Sequence, residues 1–238
     1  MKILAALLLS LLAPLAWAGQ AAEQVNAYFD LWLKDHGFHA YEKRADGLWF
    51  SANGARLDGD INEVKELRAG QLYSVESRLS LTFPDGRRLD DFVAGADKNP
   101  QLAFLDSLDN FCLTTLHPIY AELFDHADPH VRKASWTIAG APRRVFLSPW
   151  GQRGEPVDEA TQAAVERLIA RDVARSGVSD ALHWLKVVVL VSQDKLETVV
   201  VTIDGEDTPA LTRDLSGFDW PRPKTFTMSK LFLVIGAR

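Results

Sequence analysis

The chain has 238 residues, 47% of them apolar, and its 26 basic and 32 acidic side chains leave a formal net charge of −6. That composition excludes a disordered chain and supports a buried core in one large domain or two small ones. The acidic balance argues against nonspecific grip on nucleic acid or anionic lipid.

The first eighteen residues read as an address. Lys2 supplies a positive start, Ile3 to Leu15 form an apolar run broken only by Ser10 and Pro14, and Ala16-Trp17-Ala18 ends it with small residues at the two positions a signal peptidase reads. The expectation is a signal peptide cleaved between Ala18 and Gly19, and a periplasmic or secreted product. The run is shorter than the roughly 20 apolar residues a spanning helix needs. Gly19 stands where a lipoprotein has cysteine. Cleavage removes Lys2, so 25 basic residues face 32 acidic ones and the charge becomes −7. Cys112 is the single cysteine, so no disulfide forms within the chain and stability must come from core burial.

Helices and strands alternate along the rest of the chain. Val25, Tyr28, Phe29 and Trp32 recur at helical spacing over Gln24 to Asp35, and Gly37 is a natural stop. Short strands are expected around Leu48 to Phe50 and Val64 to Leu67. Leu72 to Phe83 is the clearest strand: Tyr73, Val75, Leu79, Leu81 and Phe83 share one face with Ser77, and polar residues take the other. Pro84-Asp85-Gly86 turns it into a partner strand, Arg87 to Ala94. A helix is expected from Pro100 to Thr115, with Leu105, Leu108, Cys112 and Leu116 on one stripe and Pro118 as a break or kink.

Val131 to Ile138 and Arg143 to Leu147 read as a strand pair across Gly140-Ala141-Pro142. Residues 149–156 hold two Gly and two Pro and are the best internal boundary. They divide an N-terminal α+β region, 19–148, from a C-terminal one, 157–238, and the two regions can share one domain. Asp158 caps a helix that Gly177 ends. Trp184 to Val191 and Leu196 to Ile203 form an almost wholly apolar hairpin, expected at the centre of its sheet. Gly217 to Pro223 is a loop, and Thr225 to Ile235 is the last strand. The class is α+β: antiparallel sheets with helices packed on one face, with room for two subdomains.

The stretch Leu89-Asp90-Asp91-Phe92-Val93-Ala94-Gly95, with Asn110-Phe111-Cys112, His117 and Trp136 further along, resembles a family of uncharacterised bacterial proteins. In that family a strand ends in Phe-x-Ala-Gly, a helix carries Asn-Phe, and a histidine comes shortly after. The resemblance covers the middle third to half of the chain. It implies that Gly95, Asn110 and His117 gather around the two ends of one helix. Pro118 departs from the aliphatic residue expected there, and many relatives lack an export signal. The family has no established activity, so the resemblance implies an arrangement and no reaction.

Each candidate site has a plainer alternative. Cys112 and His117 suggest a thiol nucleophile beside a base, but they lie five residues apart and Cys112 falls in the apolar stripe. A buried structural thiol and a helix-capping histidine are the simpler readings. Asp125, His126, Asp128 and His130 pack four possible metal ligands into six residues, with Pro129 inside the His-x-x-x-His spacing that a helix would need. A solvated loop is simpler. Asp58-Gly59-Asp60-Ile61-Asn62 opens like a calcium loop, but Glu63 stands in place of its glycine and Ala69 in place of its bidentate glutamate, so a turn is expected. Asp90 and Asp91, adjacent in a strand, point to opposite faces. Trp49, Trp150 and Trp220 lie near loops, where aromatics anchor partners or plug the edges of the core.

No nucleophile elbow, Walker loop, dinucleotide fingerprint or Cys-x-x-Cys pair occurs, so no cofactor is implied. The functional expectation is an exported binding protein that is not an enzyme, of immunity or inhibitor type, with a protein partner and no nucleic acid. Two alternatives stand beside it: a periplasmic hydrolase using His117 with Asn110 or a distant carboxylate, and a metal-dependent binding protein using His126 and His130.

Overall fold

The computed structural model describes residues 30, 31, 33–35, 38–44, 47–50, 54–68 and 72–237. The signal-peptide reading and most of the first expected helix lie outside them; Asp30, Leu31 and 33–35 are helical. The chain divides into two compact units between Phe111 and Cys112. The architecture is α+β, with open antiparallel sheets.

The first unit is a five-stranded sheet in sequential order: β1 (Glu42–Arg44), β2 (Gly47–Phe50), β3 (Ala55–Arg68), β4 (Leu72–Thr82) and β5 (Arg88–Asp97). Helix α1 (Pro100–Phe111) packs on β4 and β5. The period-two pattern of β4 has its expected result, since Val75, Leu79 and Leu81 are buried with Ala103, Phe104 and Leu108 of α1. On the other face Asp90 accepts hydrogen bonds from Arg78 (2.7 Å), Arg88 (2.7 Å) and Ser80. Asp91, its neighbour, is buried. Gly95 lets α1 approach: a Cβ there would sit 1.9 Å from the Ala103 carbonyl oxygen and 2.5 Å from the Ser107 nitrogen. The segment 58–62, expected as a turn, runs straight through β3, where Asp58 pairs with Ser80 and Asp60 with Arg78. Pairing along β4 outweighs the turn preference of its Asp and Gly residues.

The second unit begins with a π-helical turn, Cys112–Leu116, and α2 (His117–Leu123). Pro118 does not break the helix as its chemistry suggests. It sits in the first turn of α2, where its missing N–H costs least, and the widened turn before it takes up the misfit. The remaining elements are β6 (Arg132–Ile138), β7 (Ala141–Leu147), β8 (Gly151–Gly154), α3 (Glu159–Arg175), β9 (His183–Ser192), β10 (Leu196–Ile203), β11 (Glu206–Asp207), α4 (Pro209–Ser216) and β12 (Phe226–Ile235). The sheet order is β11-β10-β9-β12-β7-β6, with β8 also pairing β12. The expected boundary at 149–156 therefore contains a strand of this unit.

Strand β12, flanked by β9, β7 and β8, is the centre of the sheet. Its Leu231, Leu233 and Ile235 join Val187, Val189, Val165, Ile169, Val173 and Leu211 in one core. Its alternate residues Phe232 and Val234 are buried as well, and α2 packs on β12 and β7. The expected central hairpin holds only in part. Strand β9 is interior, but β10 lies beside the two-residue β11, and Val200 is 39% exposed. Its β-branched run serves a pleated surface with one wet face, a pattern that reads like full burial. Asp158 accepts from the Thr161 N–H (2.9 Å) as the cap of α3, and Gly177 adopts a φ of 68° beyond its end.

Candidate functional site

The ionisable groups that stand out in the sequence come together in an unexpected way. His117 faces Asp128, with Nδ1 hydrogen-bonded to Oδ2, and the two side chains are 1% and 2% exposed. The other Asp128 oxygen accepts the His130 N–H at 2.8 Å. Burial pushes the Asp128 carboxyl up, but the hydrogen bonds from His117 and His130 outweigh it and hold it below the usual carboxylate range. The pair closes the 125–131 loop over the start of α2. The pair is almost fully enclosed, so its polar atoms serve the loop and not an open surface.

The remaining members of that loop have other partners. Asp125 takes the left-handed conformation (φ 47°) and lies 3.2 Å from Arg144 and 3.5 Å from Lys133. His126 packs edge-on to Tyr120, and His130 edge-on to His117. Among the described residues no group of three or more His, Cys, Asp or Glu is placed to hold a metal. Cys112 is fully buried and forms no disulfide. Asn110 is half-buried in the last turn of α1, and Gly95 packs against the middle of that helix, so both belong to the first unit. His117 belongs to the second, where its acid is Asp128.

The three loop tryptophans differ in their surroundings. Trp220 is buried and donates from Nε1 to the Leu215 carbonyl at 2.8 Å. Trp150 is half-buried and donates to Glu166 at 2.9 Å. Trp49 lies under Arg44 and Arg56, whose guanidinium carbons are 5.0 and 5.9 Å from its ring centre.

Two features of the second unit have no counterpart among the sequence expectations. Ser179, His183 and Asp204 form a hydrogen-bonded line, with Ser179 Oγ 2.9 Å from His183 Nε2 and His183 Nδ1 2.5 Å from Asp204 Oδ2. The other is a cleft of about 530 Å³ between α3, α4 and the β10–β11 hairpin. Val173, Ile203 and Leu211 give it apolar walls, and Asp172, Asp207 and Asp214 face Arg175 and Arg213 around it. Arg171 binds both Asp172 Oδ1 (2.8 Å) and Asp214 (2.9 Å). Asp172 Oδ2 is shut off from water and has no hydrogen-bond partner among the described residues. The Asp204-Gly205 dipeptide is the one sequence signal that points here, since Asp-Gly marks a tight hairpin turn.

Fold and site define an α+β scaffold whose buried His117–Asp128 pair, hydrogen-bonded line and cleft lie in its second unit. The chain belongs to the family of unknown function DUF6348, which it matches over residues 61–237. The resemblance to a family of unknown function carried by Leu89–Gly95, Asn110–Cys112, His117 and Trp136 is thereby borne out, and the match runs on through the second sheet. No curated protein and no solved structure matches the chain. No helix among the described residues is long and apolar enough to cross a membrane.

Proposed function

We propose that the chain is an exported protein that acts by binding a small ligand in the cleft between α3 and α4. The cleft is the observation that carries this reading: its volume falls in the range of ligand sites, and its walls combine apolar area with a few charged groups. Three carboxylates and two guanidinium groups line it, and Arg171 bridges two of those carboxylates, Asp172 and Asp214, while the third, Asp207, is exposed. Asp207, the lining carboxylate that Arg171 does not bridge, favours a cationic group in the cleft. The ligand class is therefore an apolar body with an amine or guanidine head. The inhibitor form of the binding reading leans on exposed aromatics, and burial of Trp220 and the hydrogen bond of Trp150 weaken it.

Isothermal titration with hexylamine and with hexanoate tests the proposal. The amine binds, the acid does not, and Ala210→Arg, at an exposed residue of the cleft lining, abolishes binding. Equal binding of both compounds, or binding unaffected by Ala210→Arg, contradicts it. Export is tested separately by the mass of the protein recovered from the cell envelope, which begins at Gly19 if Ala18 ends the signal peptide.

A further inference from the structure

The Ser179–His183–Asp204 line has the order of groups that nucleophilic acyl transfer needs, and amine binding in the cleft makes no use of it. Asp204 is fixed from two sides. It occupies the left-handed region (φ 52°) in the two-residue Asp204-Gly205 turn between β10 and β11, and its Oδ1 accepts the Trp184 N–H at 3.0 Å. Its Oδ2 then meets His183 Nδ1 at 2.5 Å. An ionised carboxylate only accepts, so the imidazole proton sits on Nδ1 and Nε2 turns its lone pair to Ser179 Oγ. That is the tautomer of a general base.

Ser179 is held too. Its carbonyl oxygen accepts from Arg143 Nη1 at 2.8 Å, and Arg143 is itself a buried arginine bonded to the carbonyls of Ala181 and Gly236. Solvent access differs along the line: Ser179 is exposed, while the His183 and Asp204 side chains are 12% and 24% exposed. A carbonyl compound can reach the hydroxyl, while the base and its acid are shielded.

We propose that Ser179 is a nucleophile, His183 its general base and Asp204 the positioning residue of a site that cleaves esters of small acyl groups. In the first step a bond forms between Ser179 Oγ and the acyl carbon. The hydroxyl proton passes to His183 Nε2 and on to the leaving alkoxide, and the carbon–alkoxide bond breaks, giving acyl-Ser179 and an alcohol. Water, its proton taken by the same nitrogen, then attacks the acyl carbon and releases the acid with the serine restored. The Ala181 N–H donates to Ser179 Oγ at 3.3 Å and steadies the hydroxyl beside its base. The esterase site stands whether or not the cleft binds amines.

The purified chain is mixed with p-nitrophenyl acetate and followed by nitrophenolate release and peptide mass spectrometry. The expected result is acetylation of Ser179, abolished by Ser179→Ala, with release falling about 100-fold or more in Ser179→Ala and in His183→Ala. Asp204→Asn, which suits the same left-handed turn, lowers the rate about 10-fold or more and displaces its pH profile, a readout that loss of packing alone does not move. Acetylation of Ser179 no faster than in the urea-unfolded chain, or release unchanged by Ser179→Ala, overturns the proposal. Ser179→Cys gives a second measurement that needs no turnover. Paired with His183, the introduced thiol reacts with iodoacetamide well below the ordinary thiol range near 8.5, and His183→Ala restores that range. Buried Cys112 does not compete. An introduced thiol that follows an ordinary reactivity profile and ignores His183→Ala also overturns the proposal.

Discussion

Replacing Asp128 by alanine removes the partner of a histidine that water does not reach. Both side chains of the pair are almost fully enclosed, so neither can recover hydration when the other is lost. Breaking a buried ion pair from one side costs about 3–5 kcal/mol. The imidazole stays packed against His130 when the acid is lost, which favours the lower end. Loss of the acceptor for the His130 N–H adds about 1 kcal/mol. The expected total is about 4 kcal/mol, or a fall of about 15 °C in the melting of the second unit. Urea unfolding followed by the fluorescence of Trp184 and Trp220, both buried in that unit, reads the change.

The pH dependence has a definite sign. The folded Asp128 carboxyl lies below its ordinary value, so its contribution is complete above about pH 4 and is lost as pH falls through the folded value. The gap between wild type and Asp128→Ala therefore closes in acid. A gap under about 0.5 kcal/mol at pH 7, or one that stays constant from pH 7 to pH 3, refutes the reasoning.

Three further outcomes are expected. Gly95→Ala forces a methyl group against the backbone of α1 and destabilises the first unit by about 3 kcal/mol in thermal unfolding; no change means the helix can retreat freely. Arg143→Met strands the carbonyls of Ser179, Ala181 and Gly236 and costs about 3 kcal/mol or more in urea, and Arg143→Lys recovers little because an ammonium cannot span a planar set of acceptors; full recovery by lysine contradicts this. Burial raises the Asp90 carboxyl, but Arg78, Ser80 and Arg88 outweigh it and hold it at about 2. Between about pH 4 and pH 2 the wild type should lose about 1 kcal/mol more than Asp90→Asn, after allowance for screening, and equal acid sensitivity would count against the network.

Elements whose local chemistry and packing agree are legible in the sequence. Asp158 and Gly177 bracket α3 as cap and stop, and the alternation of β4 buries Val75, Leu79 and Leu81 as written. Where tertiary pairing decides, the sequence misleads. The 58–62 segment has turn residues but lies along β4, and the apolar β10 has one wet face because only the short β11 lies beyond it. Helix α4 is eight residues long, with no side-chain cap at Thr208, so little marks its start beyond Pro209.

The site is the least legible part. Spacing groups Asp128 with His126 and His130 as metal ligands, but it pairs with His117, eleven residues upstream. Ser179 and His183 are four residues apart, with no motif around them. Their acid arrives from the turn after β10, twenty-one residues beyond His183, through strand pairing that no spacing rule encodes.

Backbone amide resonances of the chain, recorded during titration with hexylamine, test amine binding most directly. The predicted result is a set of saturable shifts confined to residues 171–176 and 203–214, the walls of the cleft. Shifts concentrated in the first unit, shifts scattered over the surface in proportion to exposed carboxylates, or none at millimolar amine would contradict it.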